Sequence, residues 1–457
     1  MYKLISKLIV YRDVEKTSIL YRLAEIFREL ETVMAGGENT AVASSDLGNL
    51  RDRVLDEVHG LLDLATDYGF DKNLWHNYIA YLLAMTETPF TIVSEKTGRV
   101  DGSVNEFVKN DLGVFLELLN YDFSPIEQAL DINCFSVLTN YQSVKKKDHS
   151  YNKNVSLRIR ELSDAITTTK NTDELYDTVM DFYKKYGVGQ FGMNKAFRIS
   201  PNVTAGTAQA GDATGSSSTS KKSADILVPI IATSDVTLDD LIGYEQQKSE
   251  LVKNTEAFLK GQPANNVLLY GDAGTGKSTS IKALLNLYYE QGLRIIEIYR
   301  HEFKYLPEII SIIKGRNYKF IIYMDDLSFE TGETEYKYLK AVIEGDLEAR
   351  PENVLIYATS NRRHLLKEKF SDRDYDEDDI HHSDTVSERL SLSGRFGVTI
   401  AYFRPERQAY HDIVRALFKK RTDIDIDDEA LIAEADKWAL RHGGLSGRVA
   451  QQFVDHF

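Results

Sequence analysis

The segment Gly271-Asp-Ala-Gly-Thr-Gly-Lys-Ser278 carries residue types that bind the phosphates of a nucleotide. The spacing is G-x-x-x-x-G-K-[ST], in which glycines let backbone N–H groups curl around phosphate oxygens. Lys277 would contact the β- and γ-phosphates, and Ser278 would coordinate Mg²⁺. A chance glycine turn is the alternative. The predicted nucleotide contacts in this loop are Gly271, Asp272, Ala273, Gly274, Thr275, Gly276, Lys277, Ser278 and Thr279.

A pair of carboxylates follows an apolar run further along the chain. Asp325 and Asp326 come directly after Phe320-Ile-Ile-Tyr-Met324. An acidic residue at a strand end holds the Mg²⁺ in P-loop nucleotide hydrolases, which predicts Asp325 as the metal-side carboxylate. Asp326 could orient the attacking water, although a second carboxylate at a strand end is also common as a solvated cap.

Short apolar runs that alternate with helical segments must position these groups. The runs predict five buried strands, and continuous apolar strands separated by helices indicate a parallel sheet that is covered on both faces. The predicted strands are 266–270, 294–298, 320–324, 354–358 and 398–402. The phosphate loop stands where its mechanism requires, after the first strand and before a helical run over Thr279–Tyr289. The fold class predicted for this half is therefore α/β.

The rest of the chain is predicted to be helical. Residues 1–199 show apolar side chains at helical spacing and form a helical N-terminal domain. Residues 200–223 are dominated by Ser, Thr, Gly and Ala, which predicts a flexible linker. The α/β domain then covers 224–404, and a small helical domain covers 405–457.

Composition restricts the class of protein. Charged residues make up 27% and hydrophobic residues 42% of 457 residues, which is typical of a globular protein. The net charge of −15 disfavours non-specific binding to phosphate backbones or anionic lipid. One cysteine, Cys134, permits no internal disulfide. Without a signal-peptide core or a long apolar segment, we expect a cytoplasmic protein that does not bind membranes.

With these motifs in place, the second half of the chain resembles an AAA+ ATPase. Three further segments carry the resemblance: Thr359-Ser-Asn361 resembles the first sensor, Ser393-Gly-Arg-Phe-Gly397 the arginine-finger region, and Gly444-Leu-Ser-Gly-Arg448 the second sensor on a helical lid. The resemblance covers about 224–457. It implies that Asn361 senses the γ-phosphate, that Arg395 acts on a neighbouring subunit's nucleotide, and that Arg448 couples the lid to the nucleotide.

The segment Leu241-Ile-Gly-Tyr244 resembles the family's adenine-packing segment, which implies that Ile242 and Gly243 contact the base. Three longer strings resemble a bacterial AAA+ family classed as a domain of unknown function. They are Asp325-Asp-Leu-Ser-Phe-Glu330, the stretch from Pro351 to Leu365, and Leu390-Ser-Leu-Ser-Gly-Arg-Phe-Gly397. This narrower resemblance implies the fold and ATP binding, and no biological function.

The sequence departs from the AAA+ pattern at the predicted base. Most AAA+ hydrolases have Asp-Glu where this chain has Asp325-Asp326, and the shorter side chain of Asp326 requires a closer approach to water. Glu330 could substitute. The predicted catalytic residues are therefore Asp326, Glu330, Asn361 and Arg395, with Arg362, Arg363 and Arg389 as alternatives to Arg395.

Two other patterns are weaker. Gly187-Val-Gly-Gln-Phe-Gly192 has the spacing G-x-G-x-x-G but follows a helix, so we expect a helix C-cap and turn instead of a dinucleotide site. Residues 371–382 combine carboxylates with two histidines, without the usual ligand spacing of a zinc site. A loop at a subunit interface is the better interpretation of that segment.

Three functions remain open. The first is an AAA+ machine that uses ATP and Mg²⁺, assembles into a homo-oligomer such as a hexameric ring, and remodels or regulates a client recognised by the N-terminal domain. The second is a nucleotide-gated switch or scaffold with little turnover, which the departure at Asp326 favours slightly. A helicase-loader-like adaptor on DNA is a third possibility. The net charge weakens it and favours a protein client over DNA.

Overall fold

A computed structural model describes most of the chain. The described residues are 1–12, 14, 18–35, 40–143, 151–201, 226–329, 335–344, 351–361, 394–421 and 426–456. They divide into two compact units, Met1–Asn194 and Lys195–Phe457. Several predicted features lie outside the described residues: Glu330, the alternatives Arg362, Arg363 and Arg389, the segment 371–382, and almost all of the predicted linker 200–223.

The first unit is built from helices. In chain order they are α1 (Tyr2–Ile5), α2 (Ile19–Ala35), α3 (Thr40–Tyr68), α4 (Leu74–Met85), α5 (Pro89–Thr97), α6 (Val104–Leu119), α7 (Ser124–Leu130), α8 (Phe135–Leu138), α9 (Lys153–Thr167), α10 (Thr172–Tyr186) and α11 (Gly189–Met193). Their apolar faces meet in one continuous core. In α2, for example, Leu20, Leu23 and Phe27 are buried at helical spacing, as the sequence predicts.

A buried carboxylate fixes the N-terminal segment of this unit. Asp111, on α6, is fully buried, and its carboxylate accepts hydrogen bonds of 2.7–3.0 Å from the backbone N–H groups of Ile9, Val10 and Tyr11. The Tyr11 hydroxyl also pairs with that of Tyr183 at 2.9 Å. A segment without regular structure is therefore tied to α6 and α10 by polar contacts inside the core.

The G-x-G-x-x-G segment has the predicted non-functional geometry. Helix α10 ends at Tyr186, Gly187 is its C-cap with φ 81°, and α11 begins two residues later. A β-carbon at Gly192 would lie 2.8 Å from the backbone carbon of Gly187, so the segment folds tightly on itself. The prediction of a C-cap and turn is confirmed.

The second unit contains a mixed, mostly parallel sheet. Among the described residues its strands are β1 (Ala196–Ile199), β2 (Leu227–Pro229), β3 (Val267–Gly271), β4 (Leu293–Glu297), β5 (Lys319–Met324), β6 (Val354–Ser360) and β7 (Val398–Tyr402). Their order is β2-β1-β4-β5-β6-β3-β7, and only the β1–β2 pair is antiparallel. The five predicted strands are β3 to β7, each within two residues of its predicted ends. The predicted α/β fold with a parallel sheet is confirmed.

Strands β1 and β2 were not predicted, and they move the boundary of the first unit. Residues 196–199 fall within the predicted helical domain, but β1 pairs with β4 and belongs to the sheet. The first compact unit therefore ends at Asn194 instead of residue 199. A strand of four residues is too short to show an alternation of apolar and polar side chains, so only its pairing with neighbouring strands identifies it.

Helices cover the sheet and form a C-terminal bundle. They are α12 (Glu245–Leu259), α13 (Lys277–Tyr288), α14 (Leu306–Ile313), α15 (Tyr336–Glu344), α16 (Arg407–Phe418), α17 (Asp428–Arg441) and α18 (Gly447–His456). Side chains of α12 and α13 pack on one face of the sheet. Helices α16 to α18 bury a separate apolar cluster among themselves, in agreement with the predicted helical lid.

None of the helices in the described part of the chain is long and apolar enough to span a membrane.

The Asp111 contacts predict a large loss of stability when the carboxylate is removed. Asp111→Ala would leave three backbone N–H groups without their acceptor, at a cost of about 3 kcal/mol or more in unfolding free energy. Urea unfolding followed by the fluorescence of Trp75 in a Trp438→Phe background measures this. Glu117→Ala, an exposed position on the same helix, is the control, and equal effects of the two variants would contradict the interpretation.

Candidate nucleotide-binding site

The order of the strands brings the predicted functional groups to one edge of the sheet. Strands β5, β6 and β3 are adjacent and parallel, so their carboxyl ends lie side by side. These ends carry Asp325, Asn361 and the phosphate loop that begins at Gly271. In open α/β sheets this edge is where ligands bind.

The loop between β3 and α13 has a backbone that requires glycine. Gly271 has φ 129°, and a β-carbon there would lie 2.0 Å from the carbonyl oxygen of Tyr402 on the neighbouring strand β7. Gly274 has φ 78°. Both values lie in the left-handed region that L side chains rarely adopt. The glycines therefore allow the loop to turn tightly above β7 and to present its backbone at the sheet edge.

Lys277 is the central cation of the site. It is 6% exposed, and its ammonium donates to the carbonyl oxygens of Gly271 at 2.9 Å and Asp272 at 2.6 Å, and to Asn361 Oδ1 at 3.1 Å. Burial lowers the pKa of this ammonium, the neighbouring aspartates raise it, and Arg448 lowers it, so the net pKa lies below its usual range. A phosphate group would add the negative charge that this buried cation favours.

Ser278 and Asp325 form the predicted metal-side pair. The Ser278 hydroxyl donates to Asp325 Oδ1 at 2.7 Å, and the Thr359 hydroxyl donates to the same oxygen at 2.6 Å. Partial burial raises the pKa of Asp325, but the hydroxyls of Ser278, Thr359 and Tyr323 outweigh it, so the pKa lies below its usual range. A charged carboxylate beside a hydroxyl is an oxygen donor set of the kind that Mg²⁺ prefers.

Asn361 joins the loop to the second aspartate. Its amide Nδ2 donates to Asp326 Oδ1 at 2.8 Å, while its Oδ1 accepts from Lys277. Asp326 has φ 50°, and its backbone N–H donates to Thr359 Oγ1 at 2.9 Å. One amide therefore links the lysine of the phosphate loop to the carboxylate predicted to orient water. Because a non-glycine residue rarely adopts this φ, the surrounding hydrogen bonds must hold Asp326 in place.

The C-terminal helices contact the loop directly. The backbone N–H of Arg448, in the first turn of α18, donates to the carbonyl oxygen of Gly274 at 3.2 Å. A β-carbon at Gly274 would lie 3.1 Å from both Arg448 Cβ and Ser446 Oγ. The backbone N–H of Arg404, three residues before α16, donates to Asp272 Oδ2 at 2.9 Å. Movement of these helices would therefore be transmitted to the phosphate loop.

The segment before α12 lies between the loop and the C-terminal helices. Leu241 is buried, and its side chain approaches Gly276 so closely that a β-carbon there would lie 2.5 Å from it. Ile242 packs against the apolar cluster of α16 to α18, and Gly243 is exposed with φ 79°. The position of Ile242 and Gly243 beside both elements is compatible with the predicted contact to a base.

Arg395 lies at the opposite edge of the sheet from the phosphate loop. It precedes β7, whose first residue Val398 is paired with Val267 and whose last residue Tyr402 is paired with Gly271. The length of β7, roughly 16 Å for five residues, separates the two edges. The structure therefore does not bring Arg395 together with the other predicted site residues of its own chain, and its action on a neighbouring subunit stays a prediction.

The remaining predicted contacts lie in the loop, and three contributors were missed. Ala273 is exposed, the buried Thr275 donates to the carbonyl of Asp272 at 2.8 Å, and Thr279 is half-buried on α13. Thr359 was not predicted as a site residue, although its hydroxyl donates to Asp325 and accepts from the backbone N–H of Asp326. Two residues under the loop, Ser280 and Tyr402, pair through their hydroxyls at 2.9 Å. Thr359 could have been predicted from its position, because it is a polar residue near the end of a buried strand.

Comparison with known families adds one result. The model of a family described as "Protein of unknown function (DUF815)" matches residues 214–457, which is more than half of the chain. The chain belongs to this family. The matched DUF815 region contains the loop, both aspartates, Asn361, Arg395 and the C-terminal helices, so the family model covers the whole site. No curated protein matches the chain.

Solved structures similar to the DUF815 chain include RuvB from Thermotoga maritima, described as a Holliday junction branch migration motor. It is 17% identical over 48% of this chain and 63% of that chain, with a TM-score of 0.33. Two single-site variants of RuvB have the same TM-score with 16–17% identity over 48% of this chain and 63–64% of theirs. The chain thus spans less than two thirds of these structures, and similarity at this level carries no activity over.

The contact between Gly274 and α18 predicts a specific effect of a single methyl group. Gly274→Ala would displace Ser446 and Arg448, and the first turn of α18 would exchange its amide hydrogens faster, most of all at Arg448. Hydrogen exchange with mass spectrometry on the full chain measures this. Gly261→Ala is the matched control, because Gly261 also has a positive φ of 69° but nothing within 4 Å of its β-carbon position. Equal exchange in both variants would show that Gly274 does not support the helix.

Proposed function

We propose that this protein binds ATP with Mg²⁺ at the edge formed by β3, β5 and β6, and hydrolyses it to remodel or regulate a client macromolecule. One observation carries the proposal: a single hydrogen-bonded chain joins Lys277 of the phosphate loop, Asn361 and Asp326. Beside it, Ser278 and Asp325 supply oxygen ligands. The groups needed to hold phosphate, cation and water therefore lie next to each other.

Each residue has a distinct task in this proposal. The backbone of the loop and the Lys277 ammonium bind the phosphates, and Ser278 and Asp325 hold Mg²⁺. The cation, when bound, neutralises charge that develops on the phosphates. Because Asp325 keeps its charge over the physiological pH range, it needs no deprotonation step before it binds a cation. Catalysis then depends on positioning and charge stabilisation, which a preorganised network supplies.

Asp326 and Asn361 are the proposed water-orienting pair. The Asp326 carboxylate lies at the sheet edge next to Asn361, and Asn361 also contacts Lys277. A displacement of Lys277 by bound phosphate would therefore be transmitted to Asp326 through the Asn361 amide. Glu330, the alternative base, lies outside the described residues. The assignment of Asp326 therefore rests on its contacts with Asn361 and Thr359.

The position of Arg395 supports action in an oligomer. A guanidinium near the transferring phosphate accelerates hydrolysis by about 10³–10⁵-fold when it is supplied as an arginine finger. Because Arg395 precedes β7 and stands at the far edge of its own sheet, we assign it to the nucleotide of another copy. We propose a homo-oligomer, such as a hexameric ring in the manner of the AAA+ family, with one site per subunit interface.

The proposed client is a protein, and the proposed place of action is the cytoplasm. The net charge of −15 disfavours a DNA client, because binding to DNA relies on neutralising backbone phosphates. Residues 1–194 would recognise the client, the sheet with its helices up to residue 404 would form the ATPase domain, and 405–457 would form the lid. The predicted linker 200–223 follows β1 and precedes β2, which are both strands of the sheet, so it is not the connection between the two units. The helical first unit has its own core, which supports an independent recognition module.

A nucleotide-gated switch is the alternative function. Asp326 is one methylene shorter than the usual glutamate, has φ 50°, and already accepts a hydrogen bond from Asn361. A base held in this way would favour binding over turnover. Under this alternative, nucleotide changes the contacts between α18 and the loop and thereby the partners of the chain.

Steady-state hydrolysis at increasing protein concentration tests the proposal. We expect the rate per chain to rise with concentration, because the active site is completed by a second copy. Lys277→Ala and Arg395→Ala should each lose about 10³-fold or more of the activity. A mixture of the two variants should recover part of it, since the Lys277→Ala chain still supplies Arg395 to an intact loop.

Arg441→Ala, an exposed arginine in the last turn of α17, is the control and should hydrolyse ATP as the unmodified chain does. A rate per chain that is independent of concentration and insensitive to Arg395→Ala would contradict action between copies. Tight binding of ATP with negligible turnover at every concentration would support the switch.

A further inference from the structure

A tyrosine lies beneath the predicted metal-side pair. Tyr323 is on β5 two residues before Asp325, so both side chains project from the same face of the sheet. Helix α13 covers that face, and its first turn carries Ser278. Tyr323 is 2% exposed and belongs to the core cluster that includes Ile281 and Leu284 of α13. Its ring is therefore held firmly below the site.

The hydroxyl of Tyr323 is buried next to Ser278 and Asp325, close enough to affect the pKa of Asp325, but within the described residues it completes a hydrogen bond with neither of them. Tyr357 on β6, which is paired in register with Tyr323, has a hydroxyl that is fully hydrogen-bonded. The Tyr357 hydroxyl pairs with the Thr255 hydroxyl at 2.8 Å and accepts from Asn254 Nδ2 at 3.0 Å. A buried hydroxyl without a partner destabilises a protein, and phenylalanine would avoid this cost. The hydroxyl at position 323 therefore calls for an explanation other than stability.

The surroundings of this hydroxyl point to Asp325. Tyr323 lies two residues before Asp325 on the face that α13 covers, and the charge of Asp325 reaches its hydroxyl. A tyrosine hydroxyl can donate one hydrogen bond, and this carboxylate is a neighbouring acceptor. The same hydroxyl helps to lower the pKa of Asp325. Asp325 Oδ1 presently accepts from Ser278 and Thr359. Since a carboxylate has about four acceptor sites, a further donor can be accommodated.

We propose that Tyr323 is a positioning residue for the Mg²⁺ site and donates to Asp325 when Ser278 turns its oxygen towards the cation. Ser278 then no longer has to hold the carboxylate, because the buried tyrosine replaces it as a donor. This inference rests on the proposed function, since it requires Mg²⁺ with nucleotide at the phosphate loop.

If Tyr323 replaces Ser278 as the donor to Asp325, the variant Tyr323→Phe should show two opposite effects, one on thermal stability and one on Mg²⁺ binding. Without Mg²⁺, Tyr323→Phe removes an unsatisfied hydroxyl and raises the unfolding temperature. With Mg²⁺ and nucleotide, the same change removes a hydrogen bond to a charged group and weakens cation binding about tenfold. A tyrosine with a purely structural hydrogen bond would show the reverse effect on stability and no effect on Mg²⁺.

Two variants of the full chain separate these cases. Tyr323→Phe and the matched control Tyr357→Phe are compared with the unmodified protein by thermal unfolding without nucleotide. The affinity for a fluorescent ATP analogue is then measured in EDTA and across a Mg²⁺ titration. For Tyr323→Phe we expect a higher unfolding temperature, an unchanged affinity in EDTA, and a Mg²⁺ midpoint about tenfold higher. For Tyr357→Phe we expect a lower unfolding temperature and an unchanged Mg²⁺ midpoint.

An unchanged Mg²⁺ midpoint in Tyr323→Phe overturns the proposal, whatever the effect on stability. A lower unfolding temperature for this variant also overturns it, because the hydroxyl would then have a partner in the free protein. If the unmodified chain binds no analogue with or without Mg²⁺, the proposed function fails and this inference fails with it. If the unmodified chain binds and both phenylalanine variants respond alike, only the inference about Tyr323 fails.

Discussion

The Lys277 ammonium is the interaction on which the rest of the site depends. It is almost fully buried, and it is satisfied by two carbonyl oxygens of its own loop and by the amide oxygen of Asn361. A buried cation requires such partners, because an ammonium without them would lose its proton or open the structure to water. The lysine thereby fixes the end of β3, the start of α13 and the end of β6 relative to one another.

The strained positions of the site follow from this arrangement. A loop that wraps around an ammonium must turn within few residues, which explains the positive φ values of Gly271, Gly274 and Gly276. Asp326 has a positive φ without being glycine, and it is held by Asn361 and Thr359. Strain of this kind persists where the surrounding structure over-determines it, and such places are commonly functional. At the same site, the buried Tyr323 hydroxyl, which completes no hydrogen bond within the described residues, is a further feature that costs stability.

The sequence predicted the strands, the loop and the convergence of Lys277, Asp325, Asp326 and Asn361, because each follows a continuous apolar run and parallel strands share one carboxyl edge. It did not predict β1, since four residues show no period and the partner strand β4 lies far along the chain. It also missed the contribution of Tyr323. The sequence shows a tyrosine within an apolar strand, but it does not show that the hydroxyl of this tyrosine lies near the Asp325 carboxylate. Contacts between distant segments, such as Gly274 with Arg448, likewise became visible only in the structure.

Calorimetric titration of the full chain with ATP and Mg²⁺ tests the central claim most directly, because the site is built around one lysine. We expect one binding site per chain, and we expect Lys277→Met to abolish the heat of binding. Lys260→Met, an exposed position at the end of α12, should bind as the unmodified chain does. Absence of binding to the unmodified chain, or equal binding to the Lys277→Met variant, would contradict the assignment of this sheet edge as a nucleotide site.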